Sequence, residues 1–321
     1  MRHYLTYFDV NYLTRGLALY RSLERHAGDF HLWIVAFDED VERLLTALSL
    51  PRVSIIPLRE IENQDLLRVK PLRTRGEYCW TCTPATLLYA LEKHSDISDI
   101  TYLDADLLFF SNPEVIFEAA RDASIILTEH RWMPGFDLSR ESGRFAVQFV
   151  TFRRDPSGIA ALRWWYERCI EWCYARFENG KFGDQKYLDD WPTRFSKVHV
   201  DSQPGVGIGP WNCAAYAIGE RDGVLVVNDA PLVFFHFHGM RIFSSSIVHL
   251  YGYYPVPDFV RRNIYAEYRR QLLAAEGEIR TLSPGFRSGR VSPNAAPGGL
   301  RKKLSYIRLT CRDAVERRYL W

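Results

Sequence analysis

Over residues 1–280 the chain alternates short apolar, β-prone runs with amphipathic runs of helix length. His3–Phe8, His31–Phe37, Val53–Pro57, Ile100–Leu103, Ser124–Thr128 and Ala146–Phe152 read as strands. Gly16–His26, Val41–Leu48, Pro84–Lys93 and Ile159–Phe177 read as helices. Strands that are apolar nearly throughout, the first four each separated from the next by a helix, have one economical solution. They form a largely parallel sheet with a helical layer on each face, because each crossover helix must bury its apolar stripe on that sheet. The chain is therefore expected to be α/β. No internal repeat is visible.

The 321 residues are 47% apolar, enough for a large core and unlike a disordered or fibrous chain. The formal charge of +2 gives no field that would draw the whole protein onto nucleic acid. That small number conceals an asymmetry. Residues 280–321 hold ten basic and two acidic side chains, a net of +8, which leaves −6 for the rest. A Ser/Pro/Gly-rich stretch, 283–299, reads as a flexible linker to a basic amphipathic tail at 300–321. Such a tail suits either an anionic membrane surface or packing on the domain. The opening run is broken by Asp9 and Asn11, no run reaches the ~20 apolar residues of a membrane span, and six cysteines do not make a disulfide scaffold. The expectation is a cytoplasmic protein, with the tail either a peripheral contact at the inner face of the membrane or packed on the domain. Cys79 and Cys82, with Cys169 and Cys173, have spacings open to zinc. The second pair lies in a Trp-rich helical run where cysteine acts as a small hydrophobe, which is the reading preferred here.

The chemistry concentrates in three segments. Ile100-Thr-Tyr-Leu-Asp104-Ala-Asp106 is an apolar strand that delivers two carboxylates at its carboxyl end, where open α/β sheets bind ligands. If the chain stays extended, positions i and i+2 face one point, and paired hard oxygens there suit Mg²⁺ or Mn²⁺. Pro231-Leu-Val-Phe-Phe-His236-Phe-His238-Gly239 places two imidazoles on one face of a strand, and a neutral imidazole completes such a site. Gly183-Asp184-Gln185 sets an acid and an amide at a candidate helix start, where Asp184 could equally serve as a plain cap.

Together these segments resemble the GT-A fold glycosyltransferases, and within them the glycogenin-like, retaining branch. Asp104-Ala-Asp106 is similar to the Asp-x-Asp signature, His236-Phe-His-Gly239 to the branch's His-Phe-x-Gly segment, and Asp184-Gln185 to its Asp-Gln segment. Thr6-Tyr-Phe-Asp9-Val-Asn-Tyr12 resembles the nucleotide-binding first strand and turn. The likeness covers residues 1–242 and implies a Rossmann-like, mostly parallel sheet with a helical extension at 243–282. It implies transfer of a sugar from a nucleotide-diphospho-sugar, a UDP-sugar first among them, to a glycan, lipid-linked or protein acceptor, with Mn²⁺ or Mg²⁺.

Carried over by position, the resemblance implies that Asp104, Asp106 and His236 hold the metal. Thr6, Asp9, Tyr12 and Asp38 contact the nucleoside, Arg73, Arg75 and Arg241 are the cations near the diphosphate, and Asp184 and Gln185 lie against the donor sugar. Ala146-Val147-Gln148 stands where the branch shows Asn-x-Gly, and no Lys-Pro-Trp follows Gly239. Two alternatives are a non-catalytic nucleotide-sugar-binding domain and a haloacid-dehalogenase-like phosphatase, which also pairs Asp-x-Asp with a later Gly-Asp.

Overall fold

A computed structural model describes residues 1–242, 248–250, 254–290 and 319–320. Its centre is a seven-stranded sheet made of β1 (Arg2–Phe8), β2 (Phe30–Ala36), β3 (Val53–Pro57), β4 (Asp99–Leu103), β6 (Ile125–Glu129), β7 (Phe145–Arg153) and β8 (Val198–Asp201). The order is β3-β2-β1-β4-β7-β6-β8, and β7 alone runs against the others. β5 (Leu107–Phe109) pairs antiparallel with β12 (Phe234–His236) in a separate ribbon at the end of β4. β9 (Ile218–Arg221), β10 (Val224–Val227) and β11 (Ala230–Pro231) form a small meander.

Alternation along β1 decides what packs where. Leu5 and Tyr7 join a core under the helices Arg75–Lys93 and Pro156–Glu171, together with Trp33, Val35, Tyr102 and Trp165. Tyr4 and Phe8 point to the other face, with Leu17, Leu23, Leu44 and Leu45 of the helices Leu13–His26 and Glu39–Leu48. Both faces of the sheet are thus covered, as apolar parallel strands require. A third core gathers Phe235 and Phe237 with Val260, Ile264, Tyr265 and Tyr268, and so seats the C-terminal helix Ala266–Leu282 against the β5–β12 ribbon.

Three expectations change. The helix expected from Pro84 starts at Arg75, where Thr74 and Glu77 form a reciprocal capping box, and Pro84 lies inside it. The helix expected to reach Phe177 stops at Glu171, with Trp172 already extended. The linker expected from 283 begins as packed chain: Phe286 is buried, Arg290 pairs with Glu276 at 2.5 Å, and the Gly289 amide reaches Asn11 Oδ1 at 3.3 Å. The rest of that stretch and the basic tail lie outside the described residues, apart from a two-residue strand at 319–320. Among the described residues, no helix is long and apolar enough to cross a membrane.

Candidate active site

β1 and β4 are neighbours, and the chain leaves them for opposite halves of the sheet. A crevice therefore opens beyond their carboxyl ends, the place where ligands bind in such sheets. A cavity of about 370 Å³ lies there, lined by Tyr7, Asp104, Gln148, Asp184, Gln185 and His236, with an aromatic wall that includes Trp80, Trp132 and Trp211.

The two aspartates reach this point by a turn rather than by the extended chain expected from their spacing. The Leu107 amide donates to Asp104 O at 3.2 Å and closes a tight turn between β4 and β5. The Phe237 amide donates to Asp106 O at 3.0 Å, which ties the turn to the chain leaving β12. His236 Nε2 consequently stands 3.0 Å from Asp106 Oδ1 and 3.6 Å from Asp104 Oδ2. Ligand atoms of these three residues lie within 4.8 Å of one another; among the described residues no other group of three metal-ligating side chains does so. Cys82, Cys169 and Cys173 are instead buried in the apolar core.

Charge is strongly coupled here. Burial opposes protonation of His236, yet Asp106 and Asp104 outweigh it and hold the imidazole above its ordinary pKa. Burial pushes Asp106 up, but His236 wins and draws it down to about 2, whereas burial keeps Asp104 raised. The Tyr102 hydroxyl donates to Asp104 Oδ1 at 2.8 Å. Two carboxylates and an imidazole nitrogen form a hard-to-borderline donor set that fits Mn²⁺ or Mg²⁺.

Asp184 occupies a different environment. Gly183, at φ 53°, turns the chain in a conformation that favours glycine and presents Asp184 to the cavity. Burial raises its pKa to about 7, opposed chiefly by a hydrogen bond from Thr83 Oγ1 to Oδ2 at 3.0 Å. Thr83 has spent its single proton, so the Tyr7 hydroxyl, 2.9 Å away, donates to Thr83. The Trp165 indole fixes the Asp184 carbonyl at 2.8 Å, and Gln185 Nε2 donates to Ser142 O at 2.7 Å.

The other expected residues are placed less uniformly. Tyr12 is 41% exposed, carries Arg15 over one ring face at 4.5 Å, and has its hydroxyl pKa pushed up to about 12 by Asp106 and then by burial. Asp9 pairs with Arg75 at 2.7 Å. Asp38 caps the Glu39–Leu48 helix through the Val41 amide and accepts from the Val10 amide, both at 2.9 Å. Thr6 is fully buried within β1, and Arg241 is exposed. Arg73 turns away: its guanidinium stacks on Tyr174 at 3.8 Å, so it does not line the cavity. Sequence reasoning missed Tyr7, Tyr102 and Thr83 as site residues; their only signal was a hydroxyl, near the carboxyl end of a strand for the tyrosines and in mid-helix for Thr83.

Comparison with known proteins now decides the relationship. YfnD of Bacillus subtilis (strain 168), described as an uncharacterized protein, is 32% identical over 299 residues, 92% of this chain and 96% of YfnD. YfnF of the same organism, described in the same words, is 37% identical over 251 residues, 76% of this chain and 83% of YfnF. The chain belongs to the YfnD family. No protein-family model matches it. Among solved structures, the galactosyltransferase LgtC in complex with donor and acceptor sugar analogs has a TM-score of 0.53 at 14% identity, over 85% of this chain and 95% of LgtC. The YfnD-family chain therefore has the GT-A fold, with its mostly parallel central sheet flanked by helices.

Proposed function

We propose that the protein is a metal-dependent glycosyltransferase that moves a sugar from a nucleotide-diphospho-sugar, a UDP-sugar first, to a glycan, lipid-linked or protein acceptor with retention at the anomeric carbon. One observation carries this reading. Asp104, Asp106 and His236 converge at the carboxyl edge of a GT-A sheet, beside a cavity that Asp184 and Gln185 also line.

Breaking a sugar–diphosphate bond leaves negative charge on the nucleotide and positive charge at the anomeric carbon. Asp104, Asp106 and His236 would hold a divalent ion, which neutralises the diphosphate charge. The chain's own residues answer the other charge. Asp184, ionised above pH 7, and the side-chain oxygen of Gln185 stabilise the oxocarbenium-like centre. Burial keeps bulk water from screening Asp184, and the Tyr7–Thr83 relay fixes its orientation. In a retaining transfer the departing diphosphate oxygen takes the acceptor proton, so no side chain is assigned as base. Tyr12, at the mouth of β1, offers its outer ring face to the nucleobase.

The test is a panel of nucleotide sugars incubated with Mn²⁺ and mixed acceptors, read for nucleoside diphosphate release and glycosylated product. One donor yielding both supports the proposal. No release from any donor, with the protein folded and Mn²⁺ present, overturns it.

A further inference from the structure

His236 has two ring nitrogens, and the second one has a partner as well defined as the first. Nδ1 lies 2.8 Å from Gln148 Oε1, and both residues are buried. Gln148 sits on β7, and its backbone carbonyl accepts from the Asp104 amide at 3.0 Å, so one residue touches both arms of the triad. Its carboxamide has little freedom. Nε2 faces Thr128 Oγ1 at 3.5 Å, and Gly207 packs against the same nitrogen, where an added Cβ would stand 3.3 Å away. Gly207 holds φ 70°, so a larger residue there would be strained as well as crowded.

We infer that Gln148 is a positioning residue, whose Oε1 accepts a hydrogen bond from Nδ1–H of His236 and so leaves Nε2 aimed at Asp104 and Asp106 as the ligand atom. A ring free to rotate or to exchange tautomers would present Nε2 only part of the time. An outer partner that fixes ring and tautomer raises metal affinity without touching the ion. The inference rests on the metal-dependent reading above. It also gives a task to Gln148, which stands in the stretch where the branch it resembles shows Asn-x-Gly.

The experiment titrates Mn²⁺ alone into the full chain, with the free ion followed by electron paramagnetic resonance and folding checked by circular dichroism. Gln148→Met keeps length and volume but removes the acceptor; Gln148→Glu keeps an acceptor oxygen. The expected result is Mn²⁺ binding weakened about 10- to 100-fold in Gln148→Met and restored to within a few fold in Gln148→Glu. Equal affinity in wild type and a folded Gln148→Met protein overturns the inference and leaves the metal site standing. If Gln148→Met fails to fold, Gln148→Glu decides: an affinity as weak as that of His236→Ala overturns the inference, and a near wild-type one supports it. Absence of Mn²⁺ binding by wild type overturns both the inference and the metal-dependent reading beneath it.

Discussion

At the carboxyl edge of the central sheet His236 faces two carboxylates and an amide, while at the opposite edge His3 and His31 face each other and two more rings. His3 and His31 are register partners on β1 and β2, Trp33 donates to His3 Nδ1 at 3.3 Å, and His94 packs on Trp33 with ring centres 4.2 Å apart. Burial lowers the pKa of His3 and of His31, and neighbouring imidazoles lower both further. His236 is buried too, yet the aspartates raise it. The difference teaches that burial of an imidazole does not mark a site; the partner does. One edge raises the pKa of its imidazole, and the other lowers the pKa of both of its own.

The largest expected effects break the charged edge. Asp104→Asn, Asp106→Asn and His236→Ala should each lower kcat by about 10²–10³, the scale of losing one preorganised electrostatic contact. Melting temperature should change little in Asp104→Asn, whose charge burial already disfavours, and should fall in Asp106→Asn and His236→Ala, which break the buried pair. Near wild-type turnover in the Asp104→Asn/Asp106→Asn protein with EDTA present would erase the distinction between the two edges.

Asp184 sharpens the comparison through pH. Its folded pKa of about 7 lies above that of an unfolded aspartate, so the folded chain holds a proton that the unfolded chain releases. Stability from this group is present at low pH and is lost as pH rises towards 7. Asp184→Asn should therefore stabilise the protein at pH 8, on the order of 3 kcal/mol, and much less at pH 4. In the wild type, kcat/KM should climb as pH passes through about 7. Chemical denaturation at the two pH values and a pH–rate profile check both statements.

The architecture was readable from sequence wherever the local signal and the tertiary outcome agreed. The apolar runs of β1 to β4 each bury two faces, and period and composition announce that directly. Thr74-Arg-Gly-Glu77 carries the capping-box signal that fixes the true start of its helix, while Pro84, a residue common at helix starts, gives a competing signal nine residues in. Asp104 and Asp106 were legible because they close one apolar strand two positions apart, whereas His236, 130 positions further on, was joined to them by the family resemblance. The Gln148–His236 and Tyr7–Thr83–Asp184 contacts were not, because they join residues 88, 76 and 101 positions apart, and no local pattern encodes such a meeting.

Smaller effects separate the edges further. Tyr12→Ala should weaken nucleoside diphosphate binding by about 1–2 kcal/mol, the worth of one stacking contact, and leave Mn²⁺ affinity unchanged in a direct titration. At the other edge, the depressed pKa values of His3 and His31 mean that the unfolded chain takes up protons first as the solution is acidified. Their contribution to stability is complete above about pH 6.5 and declines below it. His31→Asn should shrink the loss of melting temperature between pH 7.5 and 5.5 and leave turnover at neutral pH intact.

The central claim, that the carboxyl edge binds a nucleotide through a divalent ion, is tested most directly by calorimetric titration of UDP into the wild-type and Asp104→Asn/Asp106→Asn proteins, with Mn²⁺ and with EDTA. The account predicts binding by the wild type with Mn²⁺ and little or none in the other three combinations. UDP binding of equal affinity in EDTA and in the double variant would contradict it.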